Sequence, residues 1–203
     1  MTAVQFRLTR TGPVRGRLLK RATHVTWTGT LPGFGTVELV CPVEARLSGD
    51  GLSARVSGGA IPPMVLRGIG FRGLPRMARM RLTADGHTAG PRRRHLAVTR
   101  RGRALRIDLA GRSYRYRVLD GRLRHELRRE GAVVTTTRSR WRYPRTLAGV
   151  SQGHADGLDL GLAILLEAAY TRNLSFGGAL YSWPGRFLSR ANPSDLLLDL
   201  LAP

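Results

Sequence analysis

The sequence is short of several things, and each shortage narrows its chemistry. It has one cysteine, Cys41, in 203 residues, so a disulfide framework and a cysteine-based metal site are both excluded. It has one lysine, Lys20, and 13 acidic residues against 34 basic ones. Aromatic residues make up only 6%, which leaves few rings for stacking on nucleobases. No apolar run reaches the roughly 18 residues that a membrane-spanning helix needs. Met1 to Thr11 alternates polar and apolar residues without the apolar block of a signal peptide. A lone cysteine and these missing segments fit a soluble chain in a reducing cytosol, at most peripheral to the inner face of a membrane.

What is present is arginine. The formal net charge is +21 and the isoelectric point is about 11.8. A GC-rich genome explains arginine in place of lysine, but it does not explain the scarcity of Asp and Glu. A field of this sign favours polyanions. The charge is also unevenly placed. Residues 1–150 carry 31 basic and 8 acidic residues, and residues 151–203 carry 3 and 5. The neutral end contains the most apolar run, Leu158 to Tyr170.

Most of the first 150 residues read with a period of two. Leu105, Ile107 and Leu109 alternate with Arg106 and Asp108. Tyr114, Tyr116 and Val118 alternate with Arg115 and Arg117, and Leu123, His125 and Leu127 with Arg124, Glu126 and Arg128. That is the pattern of half-buried antiparallel strands. Short turns separate them: Arg101-Gly102, Ala110-Gly111, Asp120-Gly121 and Glu130-Gly131. Connections this short join only antiparallel neighbours, which predicts a meander. Earlier strands are expected at Val4–Arg10, His24–Thr30, Thr36–Leu47, Leu52–Ser57 and Met77–Thr83, with Ile61-Pro62-Pro63 and Gly90-Pro91 breaking the pattern. About a dozen strands at regular spacing point to a barrel or sandwich.

The period changes at Asp156, an N-cap candidate, with Asp159 three residues later. The run that follows is apolar on every side and makes a helix about 21 Å long. Such a helix must be buried all round, and in a single β domain the place for it is the middle of a barrel. Asp159 and Glu167 then lie about 80° apart around it, and each needs an arginine partner if buried. The expected fold is mainly β: about twelve antiparallel strands enclosing a C-terminal hydrophobic helix. It forms one domain over 1–203, with strands in 1–150, the central helix in 156–172 and an extension over 174–203. Asn192 and Pro193 start a short extra C-terminal helix, Pro193–Leu201.

Residues 112–172 carry Arg129-Glu130-Gly131-Ala132-Val133-Val134, a polar strand ending at Trp141, the pair Gly149-Val150, and the run from Asp159 to Ala168. This resembles the tubby-like C-terminal barrel, in its LURP-one-related and phospholipid-scramblase-like branch. The resemblance implies strands wrapped around a closing hydrophobic helix, and a peripheral, phospholipid-binding role in the cytoplasm. No acidic loop precedes the helix, so a calcium site is not carried over.

Motifs with chemistry are thin. Gly68, Gly70 and Gly73 fit a dinucleotide-binding spacing, but Pro75 follows and no βαβ alternation surrounds them, so they read as a glycine-rich bend. Gly149, Ser151 and Gly153 fit a nucleophile elbow, but the only later histidine, His154, is too close in sequence to serve as base. They read as a loop into the helix. His24, His87, His95, His125 and His154 lack metal-ligand spacing, and His125 falls on the apolar face of its strand as a hydrogen-bonded core residue. No catalytic residue, metal site or cofactor is expected. The candidate site is a set of arginines for anion binding: Arg92, Arg93, Arg94, Arg100, Arg101, Arg103, Arg115, Arg117, Arg124, Arg128, Arg138, Arg140 and Arg142. Alternating arginines share an outer face and grip phosphate bidentately. A solvated face with scattered carboxylates such as Asp108 and Glu126 would give the same pattern. The first expectation is a non-enzymatic protein that binds anionic membrane lipid or phosphate groups. The alternatives are a nucleic-acid or acidic-protein binding module using the same face, and an enzyme or small-ligand carrier with a site at the barrel mouth.

Overall fold

A computed structural model describes residues 3–11, 24–42, 52–69, 80–92, 104–120, 123–140 and 144–168. Twelve strands precede one helix: β1 (Gln5–Thr11), β2 (His24–Leu31), β3 (Gly35–Pro42), β4 (Leu52–Gly58), β5 (Ile61–Ile69), β6 (Arg81–Ala84), β7 (His87–Ala89), β8 (Leu105–Leu109), β9 (Arg112–Asp120), β10 (Arg124–Arg129), β11 (Ala132–Arg138), β12 (Thr146–Gly153) and α1 (Gly157–Ala168). All belong to one antiparallel sheet, in the order β7-β6-β5-β4-β3-β2-β1-β12-β11-β10-β9-β8. The sheet curls into a nearly closed barrel. Its two edges meet where the backbones of Arg92 and Arg106 exchange hydrogen bonds of 2.7 and 2.8 Å.

The expected meander is present. β8 to β11 are successive hairpins, and the Ala110-Gly111 turn has both residues at positive φ, +50° and +73°. That matches the right-handed twist of the flanking strands. The Asp85-Gly86 turn between β6 and β7 has the same form, at +47° and +76°.

α1 runs inside the barrel and packs on β3, β4, β5, β10 and β11. Leu160, Leu162, Ala163, Ile164, Leu165 and Leu166 are all at most 1% exposed, as an all-round apolar helix requires. Its start is a reciprocal capping box. Asp156 N–H donates to Asp159 Oδ2 at 3.0 Å, and Asp159 N–H donates to Asp156 Oδ1 at 3.1 Å, which satisfies two of the helix's free donors. Gly161 lets the helix approach β5 closely, because a Cβ there would lie 2.7 Å from both Ile61 Cγ2 and Met64 Cε.

The structure corrects several expectations. Pro62 and Pro63 do not break the sheet; they sit at the start of β5. Proline lacks a ladder donor, and here the β4–β5 register shifts between Val56 and Gly58 while pairing to β6 begins only at Met64. The first residues of a strand and its irregularities are where proline is tolerated. Gly68 lies within β5, at φ +81° where the β4–β5 register shifts, and Gly70 and Gly73 lie outside the described residues. His87–Ala89 forms β7, too short to show periodicity. Gly149 to Gly153 belong to β12, not to a loop. The expected third strand is described over Gly35–Pro42, and its Val43 to Leu47 lie outside the described residues. Met77 to Arg79, the residues after Ala168 and the short helix at Pro193–Leu201 lie outside the described residues.

Candidate anion-binding face

Strict alternation decides which arginines face out. On β8 Leu105, Ile107 and Leu109 are buried and Arg106 and Asp108 exposed. On β9 Tyr114 and Tyr116 fill the core and leave Arg115 on the outer face, and on β10 His125 and Leu127 do the same for Arg128. The register then places these arginines side by side. Arg92 pairs with Arg106, Arg106 with Arg115, and Arg115 with Arg128. All four are exposed. With strands about 4.8 Å apart, the row is about 14 Å long at the backbone. Among the described residues, none of the four makes an ion pair.

The flanks of this row differ from it. On one side Arg117 is engaged by Glu126 across the strands, Nε to Oε1 at 2.9 Å and Nη2 to Oε2 at 3.1 Å. On the other side lies the pair Asp108 and Ser113. Arg124 is exposed opposite Thr137 and Asp120. Arg140 is exposed and lies near Arg145 and Arg10. Partial burial, then the charges of Arg140 and Arg145, lower the pKa of Arg10, so this corner is a second concentration of positive charge. Arg93, Arg94, Arg100, Arg101, Arg103 and Arg142 lie outside the described residues.

Arg138 is not on the outer face. It is 5% exposed, points inward with Val134 and Thr136, and binds Glu167. Its Nε donates to Glu167 Oε2 and its Nη2 to the Glu167 carbonyl. Glu167 Oε1 accepts from Tyr116 Oη at 2.9 Å and Thr136 Oγ1 at 2.6 Å, with His125 Nδ1 2.9 Å away. Burial alone would raise the Glu167 pKa, but Arg138, His125 and Thr136 together hold it below the usual carboxylate range. Arg129 plays the same inward role for Asp159, and both helix carboxylates therefore have the arginine partners expected of them. The His125 ring also stacks on Tyr116, with centroids 5.6 Å apart.

Several buried polar groups among the described residues already have structural partners. Both buried carboxylates are held by guanidinium groups. Ser151 is buried within β12, where its Oγ accepts from the Val4 N–H at 3.2 Å. The Cys41 thiol is buried and pushed up to about 12, chiefly by burial, so it is a poor nucleophile. Among the described residues, no three His, Cys, Asp or Glu side chains are placed to hold a metal ion, and no helix is long and apolar enough to cross a membrane.

Arg106 is the member of the row that alternation alone did not single out. Its outward direction was readable, but its alignment with Arg92 and Arg115 depends on cross-strand register. Compared with protein-family models, curated proteins and solved structures, the chain matches none.

Proposed function

We propose that this chain is a non-enzymatic binding protein whose outer face holds the phosphate groups of an anionic partner. The observation that carries this is the row Arg92, Arg106, Arg115 and Arg128: four exposed guanidiniums in cross-strand register with no carboxylate partner among the described residues. Like charges directly opposite one another destabilise a sheet. A fold that keeps four in line, while Arg117 next to them is neutralised by Glu126, is arranged for an external anion. Guanidinium groups suit phosphate because they bind it through two parallel hydrogen bonds.

The tubby-like resemblance belongs to the same reading. Twelve antiparallel strands around an apolar helix support it, and it brings with it a cytoplasmic protein peripheral to the inner membrane face, with anionic headgroups as one source of phosphate. Nucleic acid is another source of phosphate, and an acidic protein would bring carboxylates to the same face.

The test is binding at about 50 mM salt, where such contacts are strong. The protein is mixed with phosphatidylserine vesicles, phosphatidylcholine vesicles and inorganic polyphosphate. Retention by at least one anionic probe and not by the neutral vesicles is the expected result. Failure to bind every anionic probe would overturn the proposal.

A further inference from the structure

The arginine row has a shape as well as a charge, and that shape selects among phosphate-bearing partners. We infer that Arg92, Arg106, Arg115 and Arg128 form a track for a linear phosphate polymer that runs across the strands, around the girth of the barrel. The inference rests on the anion-binding reading of the outer face and adds the form of the ligand.

Three observations point to a linear chain. First, among the described residues the row is bordered on both sides where β8, β9 and β10 carry it. The closed Arg117–Glu126 pair borders it on one side, and Asp108 on the other. A broad anionic surface laid here would meet Glu126 and Asp108 as well as the arginines, whereas a single chain would meet only the row. Second, the row follows the curvature. In a twelve-stranded barrel each strand turns the wall by about 30°, so four neighbouring strands swing their side chains through about 90°. A flat bilayer reaches the middle two arginines before the outer two, and a flexible chain bends to meet all four. Third, the described residues of the site offer no rings. Tyr114 and Tyr116, on the same strand as Arg115, are fully buried, and Val150 is the only large exposed apolar side chain among the described residues. Single-stranded nucleic acids are held through stacking on aromatic side chains as well as through phosphate. Among the described residues this row offers hydrogen bonds and charge, so the fitting ligand is a phosphate chain without bases.

The experiment compares inorganic polyphosphate, inorganic triphosphate, a single-stranded oligonucleotide and phosphatidylserine vesicles at equal phosphate concentration. The proteins are the wild-type chain, the ladder variant (Arg92→Gln, Arg106→Gln, Arg115→Gln, Arg128→Gln) and a control variant with the same charge removed elsewhere on the outer face (Arg7→Gln, Arg55→Gln, Arg67→Gln, Arg81→Gln). Circular dichroism checks that each is folded, and Arg106→Gln with Arg115→Gln replaces the full ladder variant if that one is not. Polyphosphate is expected to bind tightest. Four phosphate contacts weaken its affinity by about 50-fold between 50 and 200 mM salt. The ladder variant is expected to lose at least about 20-fold, the double variant about fivefold, and the control less than about threefold. Equal losses in ladder and control variants would overturn the track and leave the anion-binding face standing. So would polyphosphate binding no tighter than triphosphate, or a preference per phosphate for vesicles or oligonucleotide. No binding of any probe by the wild-type chain would bring down both readings.

Discussion

The guanidinium of Arg129 grips both oxygens of the Asp159 carboxylate, Nε to Oδ1 and Nη2 to Oδ2, each at 2.8 Å. Arg129 ends β10 and Asp159 lies in the first turn of α1, so the pair ties the barrel wall to the helix it encloses. The same guanidinium donates to the His154 carbonyl at 2.8 Å, and Tyr114 Oη donates to Asp159 at 3.0 Å. Arg112 adds a bond of 2.5 Å to Asp156.

Replacing Arg129 by Met keeps the side-chain length and leaves a buried carboxylate with fewer donors. The expected loss is about 3 kcal/mol, read as a shift in urea unfolding. Arg112→Met removes a pair with Asp156 whose side chains are 38% and 42% exposed and a longer contact to Asp159 at 3.6 Å; with Arg129 still holding Asp159 it should lose about 1 kcal/mol. Equal effects of the two substitutions would show that burial does not set the strength of these pairs.

Glu167 gives the fold a particular response to acid. Its pKa in the folded state lies below the ordinary value, because Arg138, His125 and Thr136 outweigh the effect of burial. A depressed carboxylate stabilises fully above the ordinary Glu range, about 4.3, and the contribution is lost as the pH falls from there. Stability of the wild-type chain should therefore fall steeply below about pH 4, and Glu167→Gln should show a shallower acid limb. At pH 7 the same substitution leaves Arg138 as a buried cation without its counter-charge and should cost about 3 kcal/mol. Parallel acid profiles for the two proteins would remove Glu167 as the source.

Phe6 lies across β1–β12 from Gly149, and its ring covers that glycine. A Cβ at Gly149 would fall 2.1 Å from Phe6 Cζ. Gly149→Ala must displace the ring from the core, at a cost of about 2 kcal/mol or more. For a chain of this size that lowers the melting temperature by about 4–8 °C. An unchanged melting temperature would mean that the ring has another place to go at no cost.

The arginine row should weaken the fold when nothing is bound to it. Three like-charged cross-strand pairs each oppose the sheet by a few tenths of a kcal/mol or more. Replacing Arg92, Arg106, Arg115 and Arg128 by Gln should raise stability by about 1–2 kcal/mol at low salt, with the difference shrinking towards 1 M salt, where the screening length is about 3 Å. Thermal melts of both proteins across a salt series measure this. A variant less stable than wild type at every salt concentration would assign the arginines to structure instead.

The features that followed from local pattern were legible in the sequence. The meander from Leu105 to Arg138 shows in its alternation and glycine turns, and the central helix in its all-round apolar run and Asp156 cap. The direction of Arg138 was also available, because it shares parity with Val134 and Thr136 and a buried Glu167 needed a cation. Grouping it with Arg140 and Arg142 by composition obscured that. Other features depended on what strands do together. Pro62 and Pro63 are compatible with β5 only because the β4–β5 register slips beside them. The row from Arg92 to Arg128 depends on three separate registers, none of which is written in any one strand.

The place of β1 in the sheet sets a timetable for the newborn chain. Gln5 pairs with Val150, so the first strand must wait for the last before it gains its second neighbour, and the helix that fills the interior is made after that. At ordinary rates of translation, ribosomes take on the order of ten seconds to make the 150 or so residues between. Until then the apolar side chains that line the barrel have no helix to cover them. Apolar surface is therefore most open to wrong partners while the chain is still being made.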